Sequence, residues 1–220
     1  MKKFEYTPPE QPRELILKLG QKITDRIGHT VTAEDPEYYG LEALVTDEMA
    51  EVALKMKVRK PMTLAQVVKA TGKEEKVLEE LLQEMSNIGL LEYNWENPKH
   101  EKQYVLPMYV PGSAEFFNMK LDQIKEHPEV ASFFERMAFL PLQKVTPMVP
   151  PGGAGIGMHV IPVEKAIETE NESVSVEHIS HWLDKYDGKY AAGPCSCRYS
   201  RGVLGEGCAD DPEDWCRRYG

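Results

Sequence analysis

The residues with the clearest chemical potential are four cysteines, all within 22 residues at one end of a 220-residue chain. They are Cys195, Cys197, Cys208 and Cys216, and the first 194 residues contain none. Thiolates are the usual ligands of structural zinc and of iron–sulfur clusters. A disulfide framework is typical of a secreted chain, and the N-terminus shows no signal-peptide core. The four cysteines therefore predict one metal centre.

The spacing, Cys-x-Cys-x10-Cys-x7-Cys, bears on which metal is expected. Structural zinc usually takes two Cys pairs with two to four residues between the partners, and ferredoxins use Cys-x2-Cys repeats. This pattern departs from both. A [4Fe–4S] cluster is the favoured interpretation, while structural zinc, a redox thiol pair at Cys195 and Cys197, and four unpaired structural cysteines remain alternatives.

The residues beside the cysteines suit an anionic cluster. Arg198 and Arg201 follow the first pair and supply positive charge. Gly205 and Gly207 allow the backbone to fold closely around an inorganic core and to offer its amides to sulfur. Cys216 follows a predicted helix start, where the positive end of the helix favours a thiolate.

The cysteine segment also resembles a known protein family. Gly193–Arg201, Leu204–Cys208 and Glu213–Cys216 are similar to a block in anaerobic bacterial iron–sulfur and FAD-dependent pyridine nucleotide oxidoreductases, and Val160–Glu164 resembles the phrase before that block. The resemblance covers about residues 40–220. It implies a winged-helix-like region, this cysteine block, and then ferredoxin-type and flavin- and NAD(P)-binding redox modules or subunits as partners.

The apolar pattern predicts the elements that position the cysteines in a mainly helical α+β fold. Helices are expected at Arg13–Ile27, Leu41–Val58, Leu64–Ala70, Lys73–Ile88, Ser113–Ile124, Pro128–Met137 and Ser175–Tyr186, with His29–Gly40 as a polar loop. Strands are expected at Leu90–Trp95 and Gln103–Leu106, forming a hairpin, and at Met158–Val163 and Lys189–Ala192. The hairpin tip would be Glu96–Lys102.

The segment Thr63–Tyr93, a helix pair followed by Gly-Leu-Leu and a strand, resembles winged-helix domains. The expected organisation is N-terminal helices over 1–60, a winged-helix-like core over 61–110, a helical and loop connection over 111–192, and the four-cysteine segment over 193–220. The second N-terminal helix would join the winged helix.

The acidic charge of the chain disfavours two classes of function. The net charge of −10 disfavours nucleic-acid and membrane binding, and Lys73–Ile88 alone carries five Glu against two Lys, a net −3. No apolar window reaches the roughly 20 residues of a membrane span, so a cytoplasmic location is expected. The glycine run Gly152–Gly157 lacks dinucleotide-loop spacing, and His178 and His181 are interpreted as a solvated helix face.

The sequence thus favours an iron–sulfur electron-transfer protein, or the N-terminal module of a larger ferredoxin/flavin oxidoreductase. One [4Fe–4S] cluster would relay single electrons with no bond chemistry in this chain, and a homodimer is possible. The alternative is a winged-helix regulator with a structural zinc or sensory iron–sulfur site. A basic helix or wing would favour that alternative, and only Lys99, His100 and Lys102 offer it.

Overall fold

The computed structural model describes residues 6–132, 184–188 and 195–205. Residues 6–132 and 195–205 belong to one compact unit, and residues 184–188 to a second. In that second piece the Lys185 Nζ lies 5.4 Å from the centre of the Tyr186 ring. The larger unit combines helices with one small three-stranded sheet, so the protein is α+β as expected.

The first helix, α1, spans Glu14–Ile23 and buries Ile16, Leu19 and Ile23 against the core. The expected continuation to Ile27 is wrong. The chain turns extended at Thr24, and Ile27 is fully exposed. Helical spacing of isoleucines suggested the extension, but the loop after α1 instead carries Arg26 into a buried polar cluster.

The predicted single helix Leu41–Val58 is two helices in the structure, and part of the predicted loop is helical. Helix α2 spans Pro36–Leu44 and α3 spans Asp47–Lys55. Proline is well placed in the first turn of α2, because a helix needs no amide donor there. Thr46 separates α2 from α3, since its side chain accepts the backbone N–H of Met49 at 3.2 Å as an N-cap. The cap overrides an apolar stripe that runs through both helices.

The next two helices agree with the predicted bounds to within two residues. Strand β1 is Met62–Thr63, α4 is Leu64–Thr71 and α5 is Glu75–Ile88. Thr63 forms a capping box with Gln66, and Gly72 and Gly89 end the two helices with left-handed backbone. β1 was not expected from the sequence.

The predicted hairpin is confirmed, with shorter strands. β2 is Glu92–Asn94 and β3 is Gln103–Val105, paired antiparallel with Tyr93 opposite Tyr104. β1 pairs with the other edge of β3, which gives the sheet order β1-β3-β2. Asn97 organises the tip, since its Nδ2 donates to the Glu101 carbonyl at 2.7 Å.

Beyond the sheet the predicted helix Ser113–Ile124 is split. α6 is Ser113–Phe117, α7 is Leu121–Glu126 and α8 is Pro128–Ala131. The described part of this stretch ends at Ser132. The buried Asn118 ends α6, and its Nδ2 donates to the Ala114 and Val130 carbonyls at 2.8 and 3.3 Å. The expected end of the Pro128 helix, the strands predicted at Met158–Val163 and Lys189–Ala192, and the predicted helix Ser175–Tyr186 as far as Leu183 lie outside the described residues. Of that helix, Asp184 and Lys185 are helical and Tyr186 lies in the turn that follows.

One cluster of buried apolar side chains runs from Ile16 in α1 to Ala131 in α8 and includes the inward faces of α5 and the sheet. The domain boundaries expected at 60, 110 and 192 stay predictions. None of the helices in the described ranges is long and apolar enough to cross a bilayer.

Candidate functional site

The first cysteine pair lies at the start of a helix that the sequence did not predict. Helix α9 spans Ser196–Val203, and Cys195 is its N-cap residue. The Cys195 thiol is free and exposed, and it makes no capping hydrogen bond. Cys197 occupies the second position of the helix. Both cysteines therefore lie within the first turn of a helix.

Helix α9 packs against the rest of the unit through Tyr199, Ser200 and Val203. Ser200 is fully buried, and its hydroxyl donates to the Ser196 carbonyl at 2.9 Å. Tyr199, Val203 and Leu204 are half-buried and pack against the main core. The helix contacts α6, α7 and α8. These contacts fix the position of α9 and therefore the position of the Cys195 backbone at its start.

The other predicted site residues divide between described and undescribed parts of the chain. Arg198 and Arg201 lie in the helix, and Gly205 follows its end with a φ of 71°, in the left-handed region. Gly207, Cys208 and Cys216 lie outside the described residues. Within the described ranges, no three His, Cys, Asp or Glu side chains come together as a metal site. The structure therefore gives the backbone position of two of the four predicted ligands and the thiol of Cys195 alone.

Helix α9 was not predicted from the sequence, because the glycines and cysteines of this segment indicated a metal-binding loop. The signal that could have found it is the apolar pair Tyr199 and Val203, one turn apart on one face. A helix N-terminus carries unsatisfied N–H groups and a partial positive charge. Thiolates beside it are stabilised, which suits metal ligation.

A second polar cluster, also missed, joins the loop after α1 to the start of α2. Glu37 is fully buried, and its carboxylate accepts from the Arg26 guanidinium at 2.8 and 2.5 Å and from the Thr24 hydroxyl at 2.7 Å. Arg26 also donates to Asp35 at 2.9 Å. A buried carboxylate needs such partners, because an unpaired charge is costly in the interior.

The pKa of the Asp35 carboxyl lies below its ordinary value. Burial raises its pKa, but the Thr32 backbone N–H, the Arg26 guanidinium, the Thr32 hydroxyl and His29 outweigh burial and hold the pKa at about 2. The Thr32 N–H and hydroxyl donate to Oδ2 at 2.7 and 2.8 Å, and His29 Nε2 lies 3.0 Å from it. Because these partners fill its acceptor positions, the cluster fixes the α1–α2 connection and is a structural feature.

The surface that a nucleic-acid reader would use is acidic. Along α5 and its cap the exposed residues include Glu75, Glu79, Glu80 and Glu84. In the hairpin, Lys102 Nζ lies 4.2 Å from the centre of the Tyr93 ring and donates to Gln83 at 3.2 Å. That cation is therefore engaged within the protein. Phosphate binding needs clustered free cations, and this face presents carboxylates.

No protein family, curated protein or solved structure matches this chain significantly.

Proposed function

We propose that Cys195, Cys197, Cys208 and Cys216 hold one [4Fe–4S] cluster and that the protein transfers single electrons. The observation that carries the proposal is the position of Cys195. It is an exposed free thiol at the N-cap of α9, with Cys197 two residues further along the same first turn.

The donor set fits such a group. Four cysteines supply the four thiolates that a [4Fe–4S] cluster takes, and the cluster when bound accepts and donates single electrons. An anionic cluster held by the first pair would lie beside the positive end of the helix macrodipole. Arg198 and Arg201 add positive charge within the same helix. Gly205 follows the helix with left-handed backbone, and Gly207 is expected to let the chain approach a cluster closely.

We further propose that residues 47–105 form a winged-helix-like domain. The order helix, strand, helix, helix, strand, strand and the sheet arrangement β1-β3-β2 support this assignment. Its role is proposed to be scaffold and docking surface for redox partners, ferredoxin-type and flavin- or NAD(P)-binding modules in the resembled oxidoreductases. Fold alone does not give a function, so the proposal of electron transfer rests on the cysteines and not on the winged-helix-like domain.

The charge of α5 counts against a DNA-binding regulator. The segment Lys73–Ile88 has a net charge of −3, and DNA phosphates repel such a surface. We expect no sequence-specific binding of duplex DNA at physiological salt in a fluorescence anisotropy titration. Nanomolar, sequence-specific binding would replace electron transfer with regulation as the better proposal.

Metal analysis of anaerobically purified protein tests the ligand assignment. About four irons and four acid-labile sulfides per chain are expected, with brown colour from thiolate-to-iron charge transfer. Cys195→Ser should lose most of the iron, whereas the neighbouring Ser196→Ala should retain it. Colourless wild-type protein with one tightly bound zinc would contradict the proposal.

A further inference from the structure

Two oppositely charged surfaces lie close together in the sequence of the described unit. The acidic stripe consists of the exposed Glu75, Glu79, Glu80 and Glu84 of α5. The basic loop, residues 55–60, contains the exposed Lys55, Lys57, Arg59 and Lys60 and no acidic residue. Such a run of cations is unexpected in a chain with a net charge of −10.

The acidic stripe concentrates like charge on one helix. Glu75 and Glu79, and likewise Glu80 and Glu84, are four residues apart and therefore neighbours on the helix surface. Like charges at this spacing destabilise a helix, and the single exposed Lys76, three and four residues before Glu79 and Glu80, offsets only part of that repulsion. A cationic surface laid against the stripe would relieve that repulsion.

Both surfaces are held in place before any partner binds. α5 is anchored by Leu78, Leu82 and Met85, all fully buried. In the basic loop the Arg59 N–H donates to the Leu106 carbonyl at 2.8 Å. Pre-organised surfaces lose little conformational freedom on association.

An exposed apolar side chain lies at the edge of the acidic stripe, beside Glu80 and Glu84. Val77 is 51% exposed, and Glu80 and Glu84 follow it at three and seven residues, along one side of the helix. An apolar centre with a charged rim is the usual composition of a protein–protein interface. The stripe therefore suits a protein surface better than a small ion.

We infer that the partner of the acidic stripe is the basic loop of a second copy of this chain. In a two-fold dimer the stripe of each copy would contact the loop of the other, so both charge pairs would form at once. Charge complementarity selects this occupant, because the described chain itself carries the matching cationic surface. The inference is independent of metal binding and concerns only residues 55–84.

The salt dependence of dimerisation is the first test, because salt should strengthen a dimer that is limited by net charge and weaken one that is held by paired surface charges. The net charge of −10 makes the copies repel each other, and salt screens that repulsion. Paired surface charges are instead weakened by salt. Sedimentation velocity of the full chain over a concentration series, at about 0.1 M and about 1 M salt, spans screening lengths of about 10 to 3 Å. We expect a reversible dimer that weakens by about tenfold or more at the higher salt.

Charge reversal locates the interface. Glu80→Lys with Glu84→Lys, and separately Lys57→Glu with Lys60→Glu, should each weaken the dimer by about tenfold or more. Arg59 is left unchanged because Glu92 interacts with it electrostatically. Glu10→Lys with Glu126→Lys changes the net charge by the same amount as the first variant at exposed positions outside both surfaces, and this control should dimerise at least as well as wild type.

Mixing the two reversed variants completes the test. Each variant alone should dimerise at least about tenfold more weakly than wild type, and the mixture should form a heterodimer with restored affinity, because both contacts again join opposite charges. Circular dichroism melts confirm that every variant is folded. A wild-type chain that stays monomeric at about 0.1 M salt, dimerisation that strengthens with salt, or a mixture that stays monomeric would each overturn the inference.

Discussion

The body of the protein, residues 6–132, and helix α9 at the start of the cysteine segment differ in how much apolar side chain they bury. In the body, one continuous cluster of apolar side chains links α1 to α8. Helix α9 contributes only half-buried apolar side chains to that cluster, and Cys195 at its start is exposed. From residue 195 onward the large apolar residues are few: Tyr199, Val203, Leu204, Trp215 and Tyr219.

This contrast predicts different sources of stability for the two regions. Burial of apolar surface stabilises the body in proportion to the area removed from water. A segment with little apolar surface must gain its stability elsewhere, and metal ligation is one such source. The account therefore expects that packing variants unfold the body, while ligand variants release the metal and leave the body folded.

The largest effect should come from the core of α5. Leu82 is fully buried, so Leu82→Ala should lower the free energy of unfolding by about 2–5 kcal/mol through lost burial and a residual cavity. Val77→Ala on the same helix is the control, because Val77 is 51% exposed. Urea denaturation followed by circular dichroism measures both. Equal effects would show that α5 does not pack as described.

The glycines that end α4 and α5 separate backbone strain from packing. Gly72 and Gly89 both have positive φ, 71° and 96°. A Cβ on Gly89 would lie 2.8 Å from the Phe116 Cβ, whereas nothing lies within 4 Å at Gly72. Gly72→Ala should cost about 1–2 kcal/mol from left-handed backbone strain, and Gly89→Ala about 1–3 kcal/mol more from overpacking. Equal losses in urea denaturation would argue against close contact between α5 and α6.

Low pH should weaken the α1–α2 connection through Asp35. Its pKa of about 2 in the folded protein lies below the ordinary value of 3.8, so ionised Asp35 stabilises the fold at neutral pH. That contribution, roughly 2 kcal/mol, is present above about pH 4 and disappears as pH falls through about 2. The stability difference between wild type and Asp35→Asn should shrink over this window. Thr32→Val removes the hydroxyl donor alone and should show a smaller change in the same window; a pH-independent difference for Asp35→Asn would contradict the assignment.

The smallest effect on the body should come from the cysteine segment. Cys216→Ser is expected to lose the cluster, since a serine oxygen is a poorer match for iron–sulfur chemistry. The main helical melting transition should stay within a few degrees of wild type, because the body has its own core. Iron analysis and thermal circular dichroism measure the two outcomes together. Full iron retention would show that Cys216 is not a ligand.

Much of the fold could be predicted from the sequence where local signals agree with packing. The α4–α5 pair and the hairpin carry cap residues, turn residues and apolar spacing that point to the same elements, and each was found. The break at Thr46 was missed because the apolar stripe continues across it while a single side chain caps the new helix. Strand β1 was missed because only two residues pair, and that pairing depends on the distant β3.

The candidate site was less predictable than the fold. Cysteine count and spacing identify the ligand types, because thiols are rare and their chemistry is specific. The helical setting of Cys195 depends on burial of Ser200 and Tyr199 against other helices, which the local glycines obscure. The Arg26, Asp35 and Glu37 cluster is also tertiary in origin, since its groups meet only when the loop folds onto α2.

The central claim is that the cysteines hold a group that carries one electron at a time. Anaerobic potentiometric titration of the full chain, followed by electron paramagnetic resonance, tests it most directly. The account predicts one reversible one-electron transition with about one spin per chain and the relaxation behaviour of a [4Fe–4S] cluster. Wild-type protein that contains one zinc and shows no paramagnetic signal at any potential would contradict it.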